Sequence, residues 1–236
     1  MKLLIDADYI VYKSCAGAEY DIDYGDDVIF VGSNFKEAYG NTIRELDKIK
    51  SNFFDPTLIL FFSDSTNFRK QVDPSYKGHR NRKKPCGYKR VINKLHEDYE
   101  VIRMPTLEAD DAIGIKATEL NGDCTIVSID KDLLMIPATH FNFVRKEWTE
   151  VSQEQGTYAF YKQLLTGDTA DNIQGVPGIG PKKAEKAYEG CTTEKELYQK
   201  ALGMYNGDAD ALLENARLLW LRRYEGEMWE PPVEQT

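Results

Sequence analysis

Short apolar runs that end at acidic residues alternate with amphipathic stretches through the first two-thirds of this chain. Leu3-Leu4-Ile5 leads into Asp6, residues 58–62 lead towards Asp64, and residues 126–129 lead into Asp130. Runs this short, bounded by polar residues and turn formers, predict strands at 2–6, 57–62, 100–104 and 125–129, with further strands at 27–31 and 141–144. Between them, apolar residues recur at helical spacing. Phe35, Tyr39, Ile43 and Leu46 predict a helix over 34–50 capped by Ser33 or Asn34, and Val91, Ile92, Leu95 and Tyr99 share one face of a helix over 88–99. Thr106 is placed to cap another helix that runs to Leu120, with Glu108, Asp110 and Asp111 in its first turn, where the helix dipole favours anions. Strands separated by helices predict an α/β fold with a mainly parallel central sheet flanked by helices.

Near residue 152 the pattern changes. Helices are predicted over 152–165, 194–205 and 208–224, the second opened by a capping box of Thr193 and Glu196. The organisation expected is an α/β core over 1–151 and an all-helical region over 152–236. Between the helices, Gly175, Gly178 and Gly180 precede Pro181 and the lysines 182, 183 and 186. Glycines let backbone amides approach a phosphate, and proline suits the first position of a helix. A helix-hairpin-helix turn at 172–188 that holds a nucleic-acid backbone through Gly175, Gly178, Gly180, Lys182 and Lys183 is one reading; a plain helix–helix connection is the other.

Composition sharpens this picture in two ways. The four cysteines, Cys15, Cys86, Cys124 and Cys191, share no zinc spacing and are read as reduced thiols. With no apolar run near ~18 residues and no signal-peptide pattern, the expectation is a cytoplasmic protein with no membrane partner. The net charge of −9 argues against a polyanionic partner, but its distribution argues for one. Between residues 69 and 94 ten Lys or Arg stand against the single acid Asp73. A basic arm of that density can grip phosphates.

The acids supply candidate chemistry. Asp6 (with Asp8), Asp64, Glu108, Asp110, Asp111, Asp130, Asp132, Asp168 and Asp171 fall at predicted strand ends or helix starts. In a parallel sheet the carboxyl ends of the strands line one crevice. Carboxylates crowded there stay ionised only if cations share the space, and hard oxygen ligands call for Mg²⁺ or Mn²⁺. Asp130 and Asp132 point the same way if the strand continues, and Asp168 and Asp171 do so at helical spacing. Two ions about 4 Å apart suit in-line phosphodiester hydrolysis. The alternative for any one pair is a cap or a solvated turn. In the arm, Tyr76-Lys77-Gly78-His79-Arg80 pairs an aromatic able to stack on a base with cations able to hold a phosphate.

Leu4-Ile5-Asp6, Phe62-Ser63-Asp64 with Phe68-Arg69, Tyr76-Lys77 with Arg80, Glu108-Ala109-Asp110-Asp111, Asp130-Lys131-Asp132, Gly167-Asp168 with Asp171-Asn172, and the three glycines occur in an order that resembles the 5′-nuclease (flap endonuclease-like, PIN-like) superfamily. Within it the chain looks most like the 5′→3′ exonucleases of podovirus-type phages. The resemblance implies that Asp6, Asp64, Glu108, Asp110, Asp111 and Asp130 hold a catalytic Mg²⁺ and that Asp132, Asp168 and Asp171 surround a second, with Mn²⁺ able to substitute. It casts Lys77 and Arg80 as the clamp on the scissile phosphate, beside Asp6, Asp111 and Asp130 in the catalytic set. Arg69, Tyr76, Arg82, Lys83 and Lys84 are expected along the nucleic acid, and the glycine turn on the duplex with a bound K⁺. The implied activity is hydrolysis of duplex DNA from 5′ ends, gaps or flaps, extending to RNA in RNA–DNA duplexes, in phage replication, recombination or host DNA breakdown inside the host cytoplasm. Only residues 81–107 separate Arg80 from Glu108, a short arch that fits work inward from an end better than threading of long flaps. A structure-specific flap endonuclease and a catalytically silent DNA-binding protein are the rival readings.

Overall fold

The computed structural model describes residues 1–80 and 83–232. The chain opens with β1 (Lys2–Asp6), α1 (Asp8–Ala16), β2 (Glu19–Asp23), β3 (Ile29–Ser33), α2 (Phe35–Lys50) and β4 (Thr57–Phe61). It continues through α3 (Arg69–Val72), α4 (Tyr88–Asp98), β5 (Glu100–Ile102), α5 (Ala109–Glu119), β6 (Thr125–Val127), a single 3-10 turn at Asp132–Met135, β7 (Ala138–Asn142) and β8 (Glu147–Val151). The last part holds α6 (Gln153–Thr166), β9 (Gly167–Asp168), β10 (Ile173–Gln174), α7 (Pro181–Ala187), α8 (Glu194–Met204) and α9 (Ala209–Leu219). None of these helices is long and apolar enough to cross a membrane.

The central sheet runs β5-β4-β1-β6-β7-β8, parallel throughout except for β8, which turns back antiparallel on β7. Side chains of a strand alternate between faces, and the burial follows that rule. Leu4, Ile59, Phe61 and Ile126 enter one core, whereas Leu3, Ile5, Leu58, Leu60 and Val127 enter the other. The second core lies under α1, α2 and α4. The first extends without a break through α5 and α6 into α7, α8 and α9, so the C-terminal helices share a core with the sheet. β1 sits between β4 and β6, which brings the carboxyl ends of three strands side by side.

Several elements differ from the sequence expectation. β3 does not join the central sheet; it forms a separate hairpin with β2, and α1 was not foreseen. β8 likewise adds an edge strand beyond the expected last one. α5 starts at Ala109 with Glu108, not Thr106, as its N-cap, because Glu108 and Asp111 bond reciprocally across the first turn. The final helix stops at Leu219, where Trp220 turns extended. The region after 152 is not all helical, since β9 and β10 form a small antiparallel hairpin between α6 and α7.

One buried ion pair ties α3, α5 and the end of α9 together. The Arg69 guanidinium is bidentate on Asp111, with Nη1 2.6 Å from Oδ2 and Nη2 2.9 Å from Oδ1. It also donates to the carbonyls of Leu218 (2.7 Å) and Trp220 (2.9 Å), and the Arg222 amide donates to Asp111 (3.2 Å). Removing one partner of such a pair strands the other charge in the core. Asp111→Asn should therefore lower the unfolding free energy by about 3–5 kcal/mol, read as a fall in the urea midpoint. An unshifted midpoint would contradict this structural role.

Candidate metal centre and nucleic-acid interface

β1 delivers Asp6 to the carboxyl edge of the sheet, and the turn after β6 delivers Asp130 beside it. Ser128 joins them: its hydroxyl donates to Asp6 Oδ2 (3.1 Å) and accepts the Asp130 amide (3.0 Å). The first turn of α5 adds Asp110. Burial together with the charges of Asp8 and Asp130 pushes Asp6 up to about 7. Burial and the charges of Asp6, Asp130 and Glu108 hold Asp110 well above the ordinary carboxylate range. On the other side of Asp130, Asp132 is pushed up to about 7 by burial and by Asp130 and Asp168. Gln163 of α6 spans this second group, donating to Asp132 Oδ1 (3.1 Å) and Asp168 Oδ2 (3.2 Å). The Asp130 charge thus acts on both sets of acids, on Asp6 and Asp110 and on Asp132, which also feels Asp168.

Among the described residues no three acids already converge on one point at coordinating distance. The group is an open cluster in which burial and neighbouring negative charge raise the proton affinity of Asp6, Asp110 and Asp132. Its donors are carboxylate oxygens, a hard set that fits Mg²⁺ or Mn²⁺ and not a softer thiophilic ion.

Other expected ligands are engaged elsewhere. Asp111 is fully buried on Arg69, which removes it from the cluster, and the same pair removes Arg69 from the DNA-facing surface where the sequence placed it. Asp64 accepts from the Thr106 amide (2.9 Å) and the Thr66 hydroxyl (2.8 Å), bonds that lower it to about 2. Asp8 accepts from the Ser63 amide (2.9 Å) and the Tyr88 hydroxyl (2.5 Å), fastening the start of α4 and the turn after β4 to the start of α1. Neither spacing argument for the aspartate pairs holds. β6 ends at Val127, so Asp130 and Asp132 do not share a strand face, and Asp168 and Asp171 lie on the β9–β10 hairpin, not on a helix.

Asp171 and Glu108 face the arm. Lys77 Nζ lies 2.5 Å from Glu108 Oε1 and 3.4 Å from Asp171 Oδ2, while Arg80 Nη2 lies 2.5 Å from Asp171 Oδ1. Burial by itself would lower Lys77, but the Glu108 and Asp171 carboxylates outweigh it and the ammonium is held above its usual value. Burial likewise opposes ionisation of Glu108, and Lys77 and Arg69 more than reverse it. Tyr76 is 2% exposed, its hydroxyl 2.9 Å from both Glu108 Oε2 and Asp171 Oδ2. A ring so enclosed is not a base-stacking platform, and its burial overturns that expectation.

Of the remaining arm cations, Lys83 and Lys84 are exposed, and Arg82 lies outside the described residues. In the glycine turn, Gly178 and Gly180 are exposed with open space where a side chain would stand. Gly175 serves packing instead, because a Cβ there would come within 2.3 Å of the Gly167 amide. Lys182 and Lys183 are exposed, and Lys183 Nζ donates to the Gly178 carbonyl (2.9 Å). Sequence reasoning missed Ser128, Gln163 and Asn172. Asn172 stood inside a quoted motif without a role, and Ser128 two residues ahead of Asp130 was the available signal.

Residues 1–162 match the family model described as the 5′-3′ exonuclease, N-terminal resolvase-like domain. The exodeoxyribonuclease of Enterobacteria phage T3 is 29% identical over 190 residues, covering 75% of this chain and 63% of that protein. The exonuclease of Escherichia phage T7 is 28% identical with the same coverage, so the chain spans just under two-thirds of the length of both relatives. Among solved structures, a bacteriophage T5 flap endonuclease in a pseudo-enzyme–product complex with DNA and metal ions superposes with a TM-score of 0.65 at 16% identity, over 92% of this chain and 88% of that one. The central sheet, the order of its elements and the match over residues 1–162 agree, and the chain belongs to the 5′-3′ exonuclease family.

Proposed function

We propose that this chain is a divalent-metal-dependent nuclease that hydrolyses duplex DNA from the 5′ end. The observation that carries the reading is the cluster Asp6, Asp110, Asp130, Asp132 and Asp168, crowded within one another's charge, next to an arm that holds Lys77 and Arg80 against Glu108 and Asp171. Asp6, Asp110 and Asp130 would hold one Mg²⁺, and Asp132 and Asp168, with Asp130 acting on both groups, a second. Bound there, such ions lower the pKa of an attacking water and stabilise the oxygens of an in-line displacement.

The chain's own residues do the rest. Lys77 and Arg80 exchange the carboxylates for the scissile phosphate, with Arg80 offering a fork and Lys77 a point charge. Ser128 and Gln163 orient the acids they bridge. Exposed Gly178 and Gly180, with Lys182 and Lys183, receive a duplex backbone at the start of α7. K⁺ at that turn, and RNA in RNA–DNA duplexes as a substrate, are finer parts of the same reading. So are Mn²⁺ as a substitute ion, and Arg82, Lys83 and Lys84 as phosphate contacts.

Digestion of end-labelled duplexes with and without Mg²⁺ tests the reading. Release of mononucleotides from the 5′ end, abolished by a chelator, is expected. Intact flaps released from a 5′-labelled flap substrate would establish the endonuclease instead, and tight binding without cleavage in Mg²⁺ or Mn²⁺ would establish a silent binder. Lys77→Ala should slow single-turnover cleavage by roughly 10²–10³-fold, the scale of one lost electrostatic contact in the transition state; an unchanged rate removes the clamp role.

The cluster also sets a pH dependence. Asp6 and Asp132 take up protons on folding, since each moves from an ordinary 3.8 to about 7. Stability of the metal-free protein from these groups is thus greatest at the acid end of that window and falls as pH rises through it. Divalent ions should raise Tm more at about pH 8, where the carboxylates are ionised, than at about pH 5.5. Asp132→Asn should raise the metal-free Tm at the higher pH and shrink the Mg²⁺-induced increment. A Tm insensitive to both would mean that the acids do not share a field.

A further inference from the structure

The arm is fastened less to the sheet than to the tip of the β9–β10 hairpin. The Lys77 amide donates to the Asp171 carbonyl (3.0 Å), Arg80 Nε to the Ala170 carbonyl (2.9 Å), and Arg80 Nη2 to Asp171 Oδ1 (2.5 Å). Asn172 completes the seam. Its backbone stands at φ +63°, and its side-chain Nδ2 donates to both the carbonyl (3.1 Å) and the hydroxyl (3.2 Å) of Ser75 at the foot of the arm.

The hairpin is itself rigidly held. Gly167 and Gly175 face each other so closely that a Cβ on Gly167 would lie 2.3 Å from the Gly175 amide. The Val176 amide then bonds back to the Leu165 carbonyl at the end of α6 (2.8 Å). Three residues beyond Gly175, the exposed glycine turn begins. One stiff piece of chain, 167–180, therefore carries the arm's anchor at one end and the candidate duplex-binding turn at the other.

Resting on the nuclease reading above, we propose that Asn172 is a positioning residue: it sets where Lys77 and Arg80 stand relative to a duplex held at the glycine turn, and so determines the alignment of the scissile phosphate. Its side-chain bonds run to Ser75 and not to the acids of the cluster. A plain structural role is the competing account, and the exposed position of Asn172 makes the two separable, because losing an exposed hydrogen bond moves stability by only about 1 kcal/mol.

Asn172→Gly tests this. Glycine keeps the left-handed backbone without strain and removes both bonds to Ser75. Single-turnover cleavage at saturating duplex should fall roughly 10–10²-fold, the cost of misplacing a reacting group by about an ångström. The Kd for duplex measured in a chelator should stay within about threefold of wild type, as expected if binding sites are intact. In a Lys77→Ala background the same substitution should cost clearly less than in wild type, since Lys77 is one of the two cations it places. Should the glycine variant unfold, Asn172→Asp, which cannot donate to the Ser75 carbonyl, gives the same readouts. Wild-type protein run alongside reports on the nuclease reading itself: if it cleaves and the variants match it, the positioning role fails while that reading stands. A rate loss that adds fully to Lys77→Ala, or one expressed wholly as weaker binding, would also overturn the proposal.

Discussion

Arg69 and Asp111 are 1% and 0% exposed, and their bidentate pair is the point where three separate parts of the chain meet. α3 supplies the arginine at the root of the basic arm, α5 supplies the aspartate one residue beyond Asp110, and the carbonyls of Leu218 and Trp220 take two more of the guanidinium's donors. A charge pair in an apolar interior tolerates little displacement, because any lengthening exposes both partners to uncompensated desolvation. The first turn of α5, and with it Glu108 and Asp110, is therefore held against the root of the arm. Two of the candidate centre's acids and the root of its basic arm share this joint.

That joint makes a costly cluster tolerable. Asp6, Asp110, Asp130, Asp132 and Asp168 are brought together although burial and their shared charge raise the proton affinity of Asp6, Asp110 and Asp132. Like charges so arranged destabilise the protein that carries them, and the two cores above and below the sheet hold the arrangement in place. Glu108 and Asp171 are treated differently, since Lys77, Arg80 and the Tyr76 hydroxyl compensate them. The acids thus divide into a group dominated by burial and mutual repulsion and a group paired directly with the arm. The first is suited to take up divalent cations and the second to keep the arm's cations poised.

The C-terminal helices are not a separate appendage. They share a core with the sheet, Gln163 of α6 reaches two acids of the cluster, and the β9–β10 hairpin carries the partners of Lys77 and Arg80. A duplex gripped at the glycine turn would be registered against the acids through covalently continuous, tightly packed chain. Close glycine contacts in the hairpin leave little freedom for that registration to drift.

Periodicity and composition alone determined the α/β class, the strands leading to Asp6 and Asp130, the long helices with the capping box at Thr193, and the concentration of cations in residues 69–94. These are local properties: burial of alternate strand positions and capping of orphan amides depend on neighbours a few residues away. Tertiary structure decided which acids belong together. Asp110 and Asp111 are adjacent and chemically identical in the sequence, yet one faces the open cluster and the other the core, because a helix turns successive side chains by about 100° and only the fold determines what lies on each side. The same holds for Tyr76, whose exposure depended on the distant Glu108 and Asp171, and for Arg69, whose partner lies 42 positions away. Long-range pairing of charges leaves no period in the chain, so it becomes visible only when the elements are packed.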